Sequence, residues 1–140
     1  MSDIELVLPT YGVVSKSKPN KSLTLNWYRN AHYRASNDAK KRFKLLMSDQ
    51  LRQLDQIEGK LVMSYRYYAK RKGTDMDNFV SVSKKFMQDA LVEFGLIADD
   101  NCDYIVRSTE DYMGIDKQNP RIELSITIKT IETTDWLCQN

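Results

Sequence analysis

The sequence predicts an α+β domain: a small mixed β-sheet with two helices packed on it, in the element order β-α-β-α-β-β. Three observations carry that prediction. Leu61–Tyr68 and Arg121–Lys129 alternate side-chain character with period two, as half-buried strands do. Two stretches, through Phe43–Ile57 and Phe79–Phe94, repeat apolar residues at helical spacing. With 140 residues, 41% hydrophobic and 29% charged, the chain suits one soluble globular domain with a single core.

The elements follow in order. Ile4–Leu8 is a short apolar strand stopped by Pro9. Residues 10–25 form a polar Lys/Ser-rich loop whose length marks it as mobile or functional. Asn26–Arg34 interleaves amide, basic and aromatic residues, and Trp27, Tyr28 and Tyr33 suit packing on the domain more than stacking on bases. Ser36, Asn37 and Asp38 are helix N-caps, and Phe43, Leu46, Met47, Leu51, Leu54 and Ile57 give one amphipathic helix ending at Gly59. In the next strand Leu61, Met63, Tyr65 and Tyr67 share a face, and Lys70-Arg71-Lys72-Gly73 leads out of it. The second helix runs from near Asp77 to Phe94, with Gly95 as its stop. Tyr104 and Val106 suggest a third strand. Ile122, Leu124, Ile126 and Ile128 form the inward stripe of a fourth, before a short tail after about residue 130.

Some classes are excluded. No apolar run approaches the roughly 18 residues of a membrane helix. The acidic start Met1-Ser2-Asp3-Ile4-Glu5 has no signal-peptide character. Cys102 and Cys138 lack metal-like spacing and read as reduced thiols, which points to the cytoplasm.

The net charge of +2 conceals an asymmetry. Between Gly12 and Leu45 there are nine basic residues and one acid, Asp38. Arg66, Lys70, Arg71 and Lys72 form a second basic patch, and acids dominate from Asp75 to Glu123. A basic surface beside an acidic cluster suits a phosphate-backbone binder with a cation site.

Chemistry concentrates in Asp75-Met76-Asp77-Asn78, Lys84-Lys85 and Asp99-Asp100. Magnesium takes one or two carboxylates plus water and substrate phosphate. Asp75 and Asp77 lie two apart at the start of a helix, an end that favours phosphate. A lysine of that helix would contact the phosphate under attack. Each piece also has a plain structural role: Asp77 or Asn78 as a cap, Asp99-Asp100-Asn101 as a turn, the lysines as solvated helix residues. Asp99, Asn101, Asp103 and Glu110 match part of a calcium-loop template, but Tyr104 replaces its glycine and no helix follows. His32, the single histidine, has no nucleophile beside it in sequence and reads as structural or as a phosphate contact.

These residues resemble the RusA-like family of Holliday-junction resolvases. The likeness runs from the basic stretch before Asp75-Met76-Asp77-Asn78 through Lys85-Phe86-Met87-Gln88-Asp89-Ala90-Leu91, Gly95 and Asp99-Asp100. It closes on Pro120–Thr127, and Asn26 with Tyr28-Arg29 resembles the family's N-terminal segment. It spans roughly Asn26 to Ile128 and is specific from Lys70 to Asp100. One departure stands out: the position of the family's lysine is Ser81 here. Lys85 keeps the spacing to Asp89, with Lys84 as the alternative. The resemblance implies a homodimeric, magnesium-dependent endonuclease acting on branched DNA, encoded by a phage or prophage, with manganese as a substitute metal and no small-molecule cofactor. It implies that Asp75, Asp77 and Asp100 bind metal with Asp99 in support, and that Lys85 stabilises the phosphate. It also implies that Lys70, Arg71, Lys72, Asn26 and Arg29 hold DNA. A non-catalytic branched-DNA-binding protein is the alternative.

Overall fold

The computed structural model describes residues 3–129. Its elements are β1 (Ile4–Leu8), α1 (Leu25–Asn30), α2 (Tyr33–Leu51), β2 (Lys60–Ala69), α3 (Met76–Glu93), β3 (Ile105–Ile115) and β4 (Arg121–Lys129). The four strands form one mixed sheet in the order β1-β4-β2-β3. β4 runs antiparallel to both β1 and β2, whereas β2 and β3 are parallel neighbours joined through α3.

The α+β class and all four expected strands are present. Among the described residues there are three helices rather than two, because α1 precedes the main N-terminal helix. Thr24 starts α1 by accepting the Trp27 amide on its hydroxyl. The α2 helix begins earlier than expected, capped by His32, whose Nδ1 accepts the Arg34 amide at 3.2 Å. His32 is therefore a cap rather than a free imidazole. The helix also stops at Leu51 and not at Gly59. The apolar stripe continues to Ile57, but the Ile57 amide donates to the Leu96 carbonyl, so this segment is held outside any helix. Ile57 is buried there all the same, so apolar periodicity outlasts the helix.

The core lies between one face of the sheet and the helices. Leu6, Leu8, Leu61, Met63, Tyr65, Tyr67, Ile122, Leu124 and Ile126 face inward, as the alternation requires. Phe43, Met47 and Leu51 of α2 and Phe86, Met87 and Leu91 of α3 close over them. Phe86 meets both Phe43 and Tyr28 edge to face, each with ring centroids 5.9 Å apart. On the opposite face the strands carry a polar lattice. Arg66 reaches Glu5, Glu123 and Ser125, while Arg121 binds Asp116 and Glu123 and stacks on Tyr68.

The polar loop after β1 is anchored at both ends. Tyr11 and Ser22 form a bridge, the Leu23 amide donates to the Thr10 carbonyl, and Val13 and Leu23 are buried. Arg42 ties it to α2 through the Val13 carbonyl. Among the described residues, no helix is long and apolar enough to cross a membrane. Cys102 is a free, exposed thiol; Cys138 lies outside the described residues, as does the expected C-terminal tail.

Candidate nucleic-acid interface

The site forms where β2 ends. Lys70, Arg71 and Lys72 turn the chain out of the sheet, and Gly73 completes the turn at φ +75°, a conformation that favours glycine. Asp75 then caps α3: its Oδ1 accepts the Asp77 amide at 2.9 Å. Both carboxylates are exposed. Asn78 faces the other way and accepts the Asn26 amide on Oδ1 at 2.9 Å, so the first turn of α1 is pinned to the first turn of α3. A cleft of about 460 Å³ opens beside this junction, with Lys21, Lys70, Arg71 and Lys72 on its walls and Tyr67 and Phe79 stacked behind them. Lys70 also lies over the Tyr11 ring, 4.9 Å from its centre.

The structure thus gathers Asn26, Lys70, Arg71, Lys72, Asp75 and Asp77 at one end of the sheet. It does not bring Asp99 and Asp100 to them within one chain. The α3 helix has 18 residues, about 27 Å at 1.5 Å per residue, and it separates the two acidic groups. Asp99 and Asp100 sit in the turn after α3, where the Leu61 amide at the start of β2 meets the Tyr104 carbonyl. Asp75 follows the far end of that strand. Each acidic group is locally ordered. Asp99 accepts the Asp100 amide and the Asn101 side chain, and Asn101 accepts the Asp103 amide. Asp75, Asp77 and Asp100, the carboxylates that the resemblance implies as metal-binding, do not converge on one point in the chain: among the described residues no three His, Cys, Asp or Glu side chains are placed to hold a metal. Two carboxylates at the start of α3 still match the one or two that magnesium uses alongside water and phosphate. The calcium template fails on geometry, because Glu110 lies within β3 and binds Lys84 at 2.8 Å.

The lysines separate on the helical wheel. At 100° per residue Lys84 lies within about 20° of Asp77, on the flank facing β3, whereas Lys85 is turned by about 80° from Asp77. Lys85 is exposed and, among the described residues, has no ion-pair partner. Lys84 is engaged by Glu110 and lies over the Tyr65 ring. Asp89, the acid of the Asp-Ala-Leu motif, is held by Lys40 of α2 at 2.9 Å. Arg29 is exposed in the last turn of α1. Trp27 and Tyr28 pack against the core, whereas Tyr33 is 62% exposed with Arg34 over its ring. Sequence reading missed Lys21 and Tyr11 as neighbours of this cleft, because their loop is brought to it by tertiary contacts, among them the Tyr11–Ser22 bridge and Lys70 over the Tyr11 ring.

No protein-family model matches the chain, and no curated protein matches it in sequence.

Proposed function

We propose that this protein is a magnesium-dependent endonuclease of branched DNA, a Holliday-junction resolvase of RusA-like type serving recombination or repair. One observation supports it most: the basic exit of β2 runs directly into a helix start that presents two exposed carboxylates. Lys70, Arg71 and Lys72 contact the phosphate backbone without reading sequence. Asp75 and Asp77 would hold the ion, which would supply an activated water and charge neutralisation. The N-terminal end of the α3 dipole favours an incoming phosphate. Lys84 or Lys85 steadies the phosphate under attack. Two copies related by a twofold axis suit paired nicks in a symmetric junction.

The test is incubation of the purified protein with a labelled four-way junction and a linear duplex, with magnesium, with manganese and with chelator. We expect metal-dependent cleavage of the junction, abolished in Asp77→Asn with binding retained. Undiminished cleavage by that variant would remove Asp77 from the site. A second reading draws on the distance between the two acidic groups: a branched-DNA-binding protein without catalysis. It expects tight binding and no cleavage with either metal.

A further inference from the structure

The cleft beside the start of α3 has a neighbour. A second cleft, of about 500 Å³, opens between the end of β1, the start of β4 and α2. Tyr11, Asn20 and Lys70 line both, so these three residues form the partition between them. Each cleft falls within the roughly 300 to 1,000 Å³ of small-ligand sites. Five cations border the pair, Lys21, Lys70, Arg71, Lys72 and Lys117, and no carboxylate lines either cleft. None of the five has an ion pair among the described residues, and all but Lys70 are exposed. Arg121 also reaches the second cleft, but Asp116 and Glu123 engage it.

Apolar and aromatic surface lies among these charges. Tyr67 and Phe79 back the first cleft, and Val7, Pro9, Leu46 and Pro120 line the second. Val7 and Leu46 are 47% and 49% exposed. At the partition the Lys70 ammonium lies 4.9 Å from the centre of the Tyr11 ring. Asn20, Gln118 and Asn119 are exposed around the clefts, and a side-chain amide both donates and accepts, so it suits any base edge.

Cations that track a phosphate backbone, with an aromatic ring set among them for bases to stack on, are the makings of a single-strand site. A duplex keeps its bases stacked on one another and shows only their edges in its grooves. It would use the cations and leave the aromatic and apolar walls bare. A lone nucleotide would fill one cleft, whereas a strand, in which phosphates and bases alternate, spans both. We propose that an unpaired DNA strand crosses the Tyr11–Lys70 partition, with Tyr11 as its stacking platform and Lys70 at the phosphate that links the two clefts. The first cleft ends on Gly73 and Thr74, next to Asp75, so this strand runs past the proposed cleavage site. In that respect the inference rests on the resolvase reading, and it narrows the substrate to branched DNA with unpaired nucleotides at the branch.

Binding of a short labelled oligothymidylate, followed by fluorescence anisotropy beside a duplex of equal length, tests the strand without metal or cleavage. Tyr11→Ala should weaken oligothymidylate binding roughly tenfold, within the range for one lost base–aromatic stack, and leave duplex binding unchanged. Tyr11→Phe keeps the ring and should bind as the wild type does, which separates lost stacking from a disturbed loop. Lys117→Ala should lower the salt slope of single-strand binding by about 0.7, the value for one phosphate of a single strand. A bromodeoxyuridine oligonucleotide should photocrosslink to Tyr11. A wild type that does not bind the oligomer, an undiminished Tyr11→Ala, or crosslinks only outside both clefts would overturn the proposal. So would thymidine monophosphate bound as tightly as the oligomer, since that ligand needs one cleft alone. Cleavage then tests the narrowed substrate. The wild type should cut a four-way junction with unpaired thymidines at its centre faster than a fully paired one, and Tyr11→Ala should cut both alike. A wild type that cuts the paired junction faster removes the substrate assignment. If it cuts neither, the nuclease reading falls and oligothymidylate binding still decides the strand.

Discussion

Asp75 has two duties that substitution can separate. Its Oδ1 caps α3, and its exposed charge stands beside Asp77. Asparagine caps as well as aspartate does, whereas alanine loses the cap at a cost of about 1 kcal/mol. Asp75→Asn should therefore keep the denaturation midpoint and lose metal-dependent cleavage, while Asp75→Ala should lose both. Chemical denaturation beside the cleavage assay checks this, and a lowered midpoint in Asp75→Asn would mean that the charge itself stabilises the fold. The same residue marks how far the sequence could be read at this scale. The Asp-x-Asp-Asn spacing and the basic run before it were legible, since they are contiguous and share one turn. The separation of Asp99-Asp100 was not legible in the motif order, because order along a chain says nothing of which end of a helix a residue reaches. Asn78 was readable only as a possible cap; that it instead holds α1 in place depends on a hydrogen bond to a residue 52 positions away.

The α2 and α3 helices are joined by charge as well as by their phenylalanines. Lys40 and Lys44 lie one turn apart on α2, and Asp89 and Glu93 lie one turn apart on α3. The hydrogen bond from Lys44 holds the Glu93 carboxyl below the usual carboxylate range, and the hydrogen bond to Asp89 holds the Lys40 ammonium above the usual lysine range. The signs differ. The contribution of Glu93 is present above its unfolded value and is lost as pH falls through its lower folded value. That of Lys40 is present below its unfolded value and is lost as pH rises through its higher folded value. Both are partly exposed pairs that salt weakens. Lys44→Ala should move the titration of the Glu93 carboxyl upward, as read from its side-chain carbon resonance. An unmoved resonance would mean that the two helices do not make this ion pair in solution. The alternating strands β2 and β4, and β1 as a short apolar run stopped by Pro9, were legible nearly to the residue. The α1 helix was not, because six residues with mixed aromatic and amide character carry no periodic stripe. The end of α2 was misplaced because Ile57 is buried in a loop bonded to Leu96, which apolar spacing cannot tell from one more helical turn.

Over the whole molecule, charge is distributed by position more than by amount. A net charge of +2 predicts little, yet Lys70, Arg71, Lys72 and Lys21 all border one cleft. Replacing Lys70, Arg71 and Lys72 together by alanine should weaken junction binding and make it less sensitive to salt. The slope of log affinity against log salt should fall by about 2 to 3, near 0.9 for each phosphate no longer neutralised. A titration of junction binding at several salt concentrations measures it, and an unchanged slope would place the DNA elsewhere. The strand order carries a further consequence, for the timing of assembly. Among the described residues β1 pairs only with β4, and β4 also forms the seam with β2, so β1 waits for a strand more than a hundred residues later. During synthesis, helices and the parallel β2–β3 pair can form early, but the sheet cannot close until Arg121–Lys129 has left the ribosome. A nascent chain arrested before Arg121 should stay open to protease at Ile4–Leu8, and release of the next few residues should close it in one step.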